Sequence, residues 1–360
     1  MPLAPNAATL ASVTPRDAST TPQPTPRRRA SRPSRGAGAV RRRGPAAVGP
    51  IAAILAAVAI AAAPARAATT IVADPAAQEV TALDGTLVWV SGAPGAQTLM
   101  QHDASGARPV QVAPPARLYR SIDLGRDRAG GPVLTYLRCR TIDTCVARRD
   151  DLRGHRGSFK GLGLPRCTLT TAPAVWRTAV AYGLACHKRG SRTLDAARSG
   201  RYLEADRGSP RRLAVPRAVT RAGATIGAVD LRGGRVAAVA EDVAAYAFSQ
   251  TTAGTGMRSF TAAVSEGDTD ERVAGMALGT TRTLWTLTTT TYPGEPNSAR
   301  IARLEGACHT QQTLTNPPGP AEAEGYPATA LTADGPTLYL AVPGAGVVAH
   351  HYTPDRPDCA

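Results

Sequence analysis

The sequence predicts an all-β domain, a six-bladed β-propeller of four-stranded antiparallel blades, preceded by an export signal. Three observations predict it. Helical periodicity is weak after residue 67, while short runs rich in Val, Leu, Thr and Tyr alternate with Gly, Asp and Pro clusters. A unit built of a short run, a tight turn and a strand recurs about every fifty residues. Six cysteines, an even number, all fall in the same part of the chain.

The 360-residue chain opens with a different composition. Residues 1–50 are rich in Pro, Ala, Ser, Thr and Arg, with basic clusters at Arg27–Arg29 and Arg41–Arg43 and a single acid, Asp17. Such a stretch has too little apolar surface to offset the entropy of ordering, and disorder is expected. An uncharged run of 13 residues, Ile51 to Ala63, follows, and then Pro64-Ala65-Arg66-Ala67-Ala68. Basic region, short apolar core and Ala-x-Ala together form a secretory signal, with cleavage expected between Ala67 and Ala68. As a helix the run would span about 20 Å, against a hydrocarbon layer of about 30 Å. Pro50 and Pro64 hinder its extension, so a membrane anchor is disfavoured. A start at Val40 would leave an ordinary leader of 28 residues, Val40 to Ala67, and residues 1–39 are read as an upstream extension outside the translated chain. Gly44-Pro45 after Arg41-Arg42 argues against a twin-arginine signal. The domain is therefore residues 68–360, expected outside the cytoplasm.

Losing the leader lowers the net charge from +15 to +6. The remaining cations are nearly all Arg, with Lys160 and Lys188 the only lysines. The most basic stretch, Arg207 to Arg221, has no interleaved stacking aromatics, and nucleic-acid binding is not expected.

The repeating unit appears as Val80–Val90, Ile122–Leu137, Pro173–Leu184, Ile226–Ala240, Val273–Leu287 and Ala328–Val342. With turn centres at Gly85, Gly131, Arg177, Gly234, Arg282 and Gly335, the spacings are 46, 46, 57, 48 and 53 residues. Such a period in β-rich sequence marks a propeller. Trp89, Tyr136, Tyr182, Trp285 and Tyr339 fall at similar places after the turns, where they would pack on the neighbouring unit. Thr98–Val112 reads as a second hairpin around Asp103-Ala104-Ser105-Gly106. The strand at Thr69–Ala73 is expected to complete the last blade and so close the ring. Seven blades, or a pair of β-sandwiches, are the competing architectures.

The turns Leu83-Asp84-Gly85-Thr86-Leu87 and Ala333-Asp334-Gly335-Pro336-Thr337-Leu338 resemble the Asp-Gly turn of TolB-like or WD40-like propellers of exported bacterial proteins. The likeness covers residues 72–355. The Pro that usually precedes Asp-Gly is absent, and the middle units lack the motif.

In an exported chain, Cys139, Cys145, Cys167, Cys186, Cys308 and Cys359 are expected as disulfides. No C-x-x-C pair occurs to suggest zinc. Cys167 and Cys186 are symmetric about the turn at Trp176-Arg177, so they would face one another across a hairpin. Cys139 and Cys145 bracket a short loop, which leaves Cys308–Cys359 to clip the C-terminal tail.

Catalytic chemistry is hard to find. His102, His155, His187, His309, His350 and His351 share no metal-binding spacing, and no G-x-S-x-G elbow exists. Glu266 to Glu271 is an acidic turn without the pattern of an EF-hand loop. Asp123 and Asp230 share an apolar-Asp-Leu context before their turns and are expected near a channel mouth, although Asp is also an ordinary turn residue. Metal-lactonase chemistry would want asparagines at the axis, and Asn297 and Asn316 both neighbour prolines in loops. No cofactor is expected. The function read from these features is a non-enzymatic, monomeric binding or scaffold module for a protein or an extracellular glycan. The competing function is a propeller enzyme acting on glycans as a lyase or hydrolase.

Overall fold

The computed structural model describes residues 68–355, except 112–114, 142–143, 160–161, 163, 192, 196, 206–209, 218, 220–224, 242–243, 265–269, 280–281, 292–297, 315–327 and 354. The expected export signal, residues 1–67, lies outside the described residues, as does Cys359.

The domain is an all-β propeller. Its first blade is β2 (Ala77–Leu83), β3 (Thr86–Ser91), β4 (Thr98–Asp103) and β5 (Gly106–Pro109), in that order. Asp84 and Gly85 both have positive φ, the two-residue hairpin geometry whose twist matches the strands it joins. The second hairpin turns at Asp103, whose Oδ1 accepts a hydrogen bond from the Ser105 N–H at 2.8 Å.

Three further four-stranded antiparallel sheets stand as separate blades. One is β15 (Thr225–Arg232), β16 (Arg235–Glu241), β17 (Ala244–Thr251) and β18 (Arg258–Val264). The next is β19 (Asp270–Leu278), β20 (Leu284–Thr291), β21 (Ser298–Glu305) and β22 (Cys308–Leu314). The last is β23 (Ala330–Asp334), β24 (Thr337–Val342), β25 (Gly346–His350) and, outermost, β1 (Thr69–Val72). β1 pairs antiparallel with β25, so the two ends of the domain share one sheet, as expected for Thr69–Ala73. Gly346 makes this possible: a Cβ there would sit 2.0 Å from the Val72 carbonyl oxygen.

The blade count departs from the expected six, with four separate four-stranded blades. The strands expected to form the second and third blades join in one nine-stranded sheet. One part is β6 (Leu118–Arg126), β7 (Pro132–Thr141), β8 (Thr144–Asp150) and β9 (Arg156–Ser158). The other is β10 (Cys167–Leu169), β11 (Ala174–Trp176), β12 (Ala179–Cys186), β13 (Gly200–Ala205) and β14 (Arg211–Arg212). β11 meets β6 in a parallel bridge at Trp176 and Arg126, and the Arg177 N–H donates to the Arg126 carbonyl at 2.7 Å. The physical cause is Gly125. A Cβ there would lie 1.8 Å from the Val175 carbonyl oxygen, so only glycine lets the two strands touch.

Apolar faces pack between neighbouring sheets. Ala82, Leu87 and Trp89 pack with Ala330, Ala341 and Val347 of the last blade. Leu83, Val88 and Leu99 pack with Tyr119, Leu134 and Tyr136 of the nine-stranded sheet. Trp89 is 1% exposed, and its indole N–H donates to Asp74 Oδ2 at 2.7 Å, which satisfies the one polar atom it buries.

Two disulfides are present as expected. Cys139 and Cys145 are directly opposed on β7 and β8, and Cys167 and Cys186 on β10 and β12. Cysteines opposed in a ladder have their Cβ atoms close enough for bonding without moving the backbone. The Cys308–Cys359 pairing involves a residue outside the described ones; no cysteine among the described residues is free. Such bonds persist in an oxidising compartment. No described helix is long and apolar enough to cross a membrane.

Candidate functional site

The innermost strands β2, β6, β15, β19 and β23, with residues 171–172 leading into β11, surround a cavity of about 220 Å³. Its wall is largely small: Ala172, Ala228, Ala274, Gly275 and Ala330. Against that wall stand Glu79, Asp123, Asp230, Glu241 and Arg232. Asp123 and Asp230 were expected near a channel mouth, and both line this cavity.

An innermost strand has one edge without a ladder partner, and its N–H groups need acceptors. Side chains from the neighbouring inner strand supply them. Thr81 Oγ1 on β2 accepts from the Leu124 N–H on β6 at 2.9 Å. Glu79 Oε2 accepts from the Ile122 N–H at 3.0 Å. The Asp123 carboxyl lies close enough to the Val175 and Leu124 N–H groups for them to lower its pKa. Asp230 Oδ2 on β15 accepts from the Leu278 N–H on β19 at 2.6 Å. Each bond clasps one inner strand to another.

Arg232 spans further. From the end of β15 its guanidinium donates to the Ala333 carbonyl on β23 at 2.8 Å and to the Ala82 carbonyl on β2 at 2.9 Å. One cation thus joins three inner strands, 101 and 150 residues away in sequence.

Burial shifts the acids of the cavity toward their neutral forms. Burial raises the Asp123 pKa well above the ordinary carboxyl value, the negative charge of Asp230 raises it further, and Arg232 opposes both. Burial also raises Asp230, against Arg232 and two backbone N–H groups. Glu79 and Glu241 are raised by burial as well. Asp123 Oδ2 is out of contact with solvent and has no hydrogen-bond partner among the described residues. A neutral carboxyl with one unused oxygen has the chemistry of a proton donor.

The other residues noted in the sequence do not converge on this cavity. His155 is exposed and pairs with Asp151 at 2.7 Å. His309 lies against Phe260, with ring centroids 4.5 Å apart. His350 shares a hydrogen bond with Gln312 at 3.0 Å, and burial lowers its pKa. Of the acidic turn, residues 266–269 lie outside the described residues. Asp270 pairs with Arg272 at 2.5 Å, and Glu271 accepts from the Val264 N–H. Asn297 and Asn316 also lie outside the described residues. No group of three or more His, Cys, Asp or Glu among the described residues is placed to hold a metal ion. Sequence reasoning missed Arg232, Glu79 and Glu241. A second charged residue two positions after Asp230 on an inner strand, and so on the same face, was the signal available for Arg232.

No family model matches the chain, and no curated protein matches it. Among solved structures it is similar to the SapL1 lectin in complex with alpha methyl fucoside, at 11% identity and a TM-score of 0.44, covering 79% of this chain and 94% of that one. It is also similar to a protein of unknown function from Dyadobacter fermentans, at 10% identity and a TM-score of 0.48, covering 79% and 97%. A third is the fucose-specific lectin from Aleuria aurantia, at 12% identity and a TM-score of 0.43, covering 77% and 97%. At these scores the likenesses carry no argument about ligand or activity.

Proposed function

We propose that the chain is an exported, non-enzymatic propeller that binds an extracellular glycan, with its axial cavity serving as the seam of the ring. The nine-stranded sheet counts as two units in this reading, β6–β9 and β10–β14, so that six units surround the axis. The observation that carries the proposal is how the cavity's polar groups are used. Glu79, Thr81 and Asp230 accept from neighbouring inner-strand N–H groups, and Arg232 donates to two inner-strand carbonyls. Groups committed to the ring are not available to position a substrate, which leaves ligand binding to the outer surface. The disulfides support export, since they need an oxidising compartment.

A second reading, glycan cleavage, is favoured by one atom, the unpartnered Oδ2 of Asp123. Co-sedimentation of the purified protein with insoluble cell-wall polysaccharide, with the supernatant assayed for released sugar ends, separates the two. Retention without release is expected. Release that increases with time would establish the enzyme instead.

A further inference from the structure

Away from the axis, the strands β7, β8 and β9 carry a face of arginines. Two adjoining hollows, of about 510 and 270 Å³, lie between this face and the connection leading into β6. Arg117, Arg138, Arg140 and Arg148 line the larger, and Arg138, Arg148 and Arg156 the smaller. The shared pair, Arg138 and Arg148, makes the two hollows one continuous groove.

Strand register explains why the arginines gather. Arg138 is opposite Val146, and Tyr136 is opposite Arg148, which in turn opposes Ser158 on β9. Opposed residues in a ladder share a face, and so do residues two apart along a strand. Alternation therefore puts Arg138 and Arg148 on one face, opposite to the side chain of Cys139, which still borders the larger hollow. The hollows' lining contains no Asp or Glu among the described residues. None of the five arginines makes an ion pair among the described residues. Asp150, 1% exposed and within electrostatic reach of Arg148 and Arg156, is one carboxyl against five arginines; the excess cations repel one another, and an anionic ligand removes that repulsion.

We infer that this groove binds an anionic glycan, a polysaccharide bearing carboxylates or phosphates along its length. The inference rests on the glycan-binding reading above. Guanidinium forks match carboxylate and phosphate oxygens in pairs. Five of them along a continuous groove suit a ligand with repeated charges better than a single small anion. Val146, 52% exposed between Arg138 and Arg148 on the same face, offers an apolar patch for the C–H face of a sugar ring. Nucleic acid fits less well. The aromatic rings beneath the groove, Tyr119 and Tyr136, are 1% and 2% exposed and packed edge to face with each other, so neither can stack a base.

The test measures binding of the purified protein to four immobilised probes: polygalacturonate, a poly(glycerol phosphate) polymer, neutral dextran and a single-stranded DNA oligonucleotide. Retention on one or both anionic glycans at least tenfold above dextran is expected, weakening as salt rises, and the two anionic probes tell carboxylate from phosphate preference. Arg138→Gln with Arg148→Gln should reduce that retention at least tenfold. The exposed pair Arg117→Gln with Arg156→Gln should reduce it by a smaller factor with an unchanged melting temperature, which guards against a folding defect in the first variant. Unchanged retention by both variants would overturn the groove as the site, and so would DNA binding stronger than either glycan. Arginine-independent binding to dextran would overturn the groove yet leave the glycan-binding reading standing. Binding to no glycan at all would end both.

Discussion

Oδ2 of Asp334 accepts a hydrogen bond from the N–H of Gly85 at 2.6 Å, across 249 residues of sequence. The two residues occupy the Asp-Gly turns of the last and first blades. Asp84, the partner of Gly85 in its own turn, pairs in the other direction with Arg126 of β6 at 2.5 Å. The turn aspartates therefore link neighbouring inner hairpins as well as shaping their own turns.

Asp334→Ala removes the acceptor and leaves the Gly85 N–H to water. Because the bond is exposed, the expected loss is about 1 kcal/mol, or about 2–4 °C in melting temperature for a domain of this size. Asp334→Asn keeps an acceptor oxygen and should melt close to the parent. A thermal unfolding series on the two variants checks this.

The axial acids set a pH dependence. Asp123, Asp230, Glu79 and Glu241 have folded-state pKa values raised above their unfolded ones. Their contribution to stability is fully present below the unfolded carboxyl range and is lost as pH rises through the folded values. Asp151 runs the other way. Held at about 2 by hydrogen bonds from His155 and Arg153, it contributes above the ordinary carboxyl range and is lost in strong acid. The protein should therefore melt higher at pH 5 than at pH 8. Asp123→Asn, which imitates the neutral form, should raise the melting temperature more at pH 8 than at pH 5.

Arg232→Met keeps much of the side chain's bulk but removes both carbonyl contacts and the positive charge beside Asp123 and Asp230. Two hydrogen bonds from a charged group are lost and two buried carbonyls are left without their donor, and a loss of about 3 kcal/mol is expected. Adding Asp123→Asn should recover part of that loss at high pH, where an ionised Asp123 would otherwise lack the opposing charge of Arg232. A double-mutant cycle read by denaturant midpoints measures the recovery.

Of the two bridges, Cys167–Cys186 spans 19 residues and Cys139–Cys145 only 6. Loop-closure entropy makes the longer one worth about 3 kcal/mol and the shorter about 2 kcal/mol. Replacing Cys167 and Cys186 by Ser should thus lower the denaturant midpoint more than replacing Cys139 and Cys145.

Much of the ring was legible because turn chemistry and strand alternation are local. The turns at Gly85, Gly131, Arg177, Gly234, Arg282 and Gly335 all join paired strands. Arg177 and Arg282 take positive φ without being glycine, so spacing alone revealed them. Cys167 and Cys186 do face one another, although the ladder slips: Cys167 opposes Cys186 while Trp176 opposes Ala179, so residues 170–173 absorb an irregularity. The merging of two strand sets into nine strands was not legible, because it depends on Gly125 touching Val175 fifty residues later. Nor was Arg232 as a cross-axis strut, whose partners are distant backbone carbonyls. The arginine groove was partly legible: Arg138, Arg140 and Arg148 sit at alternating positions within two strands, a pattern visible once those strands are paired.

The most direct test of the central claim compares the parent with Asp123→Asn combined with Asp230→Asn, measuring retention on cell-wall polysaccharide and release of sugar ends from the same sample. If the axial carboxyls hold the ring and the outer surface binds, both proteins are retained alike and neither releases product. Release by the parent that disappears in the double variant, with retention unchanged, would contradict the account and make the axial cavity an active site.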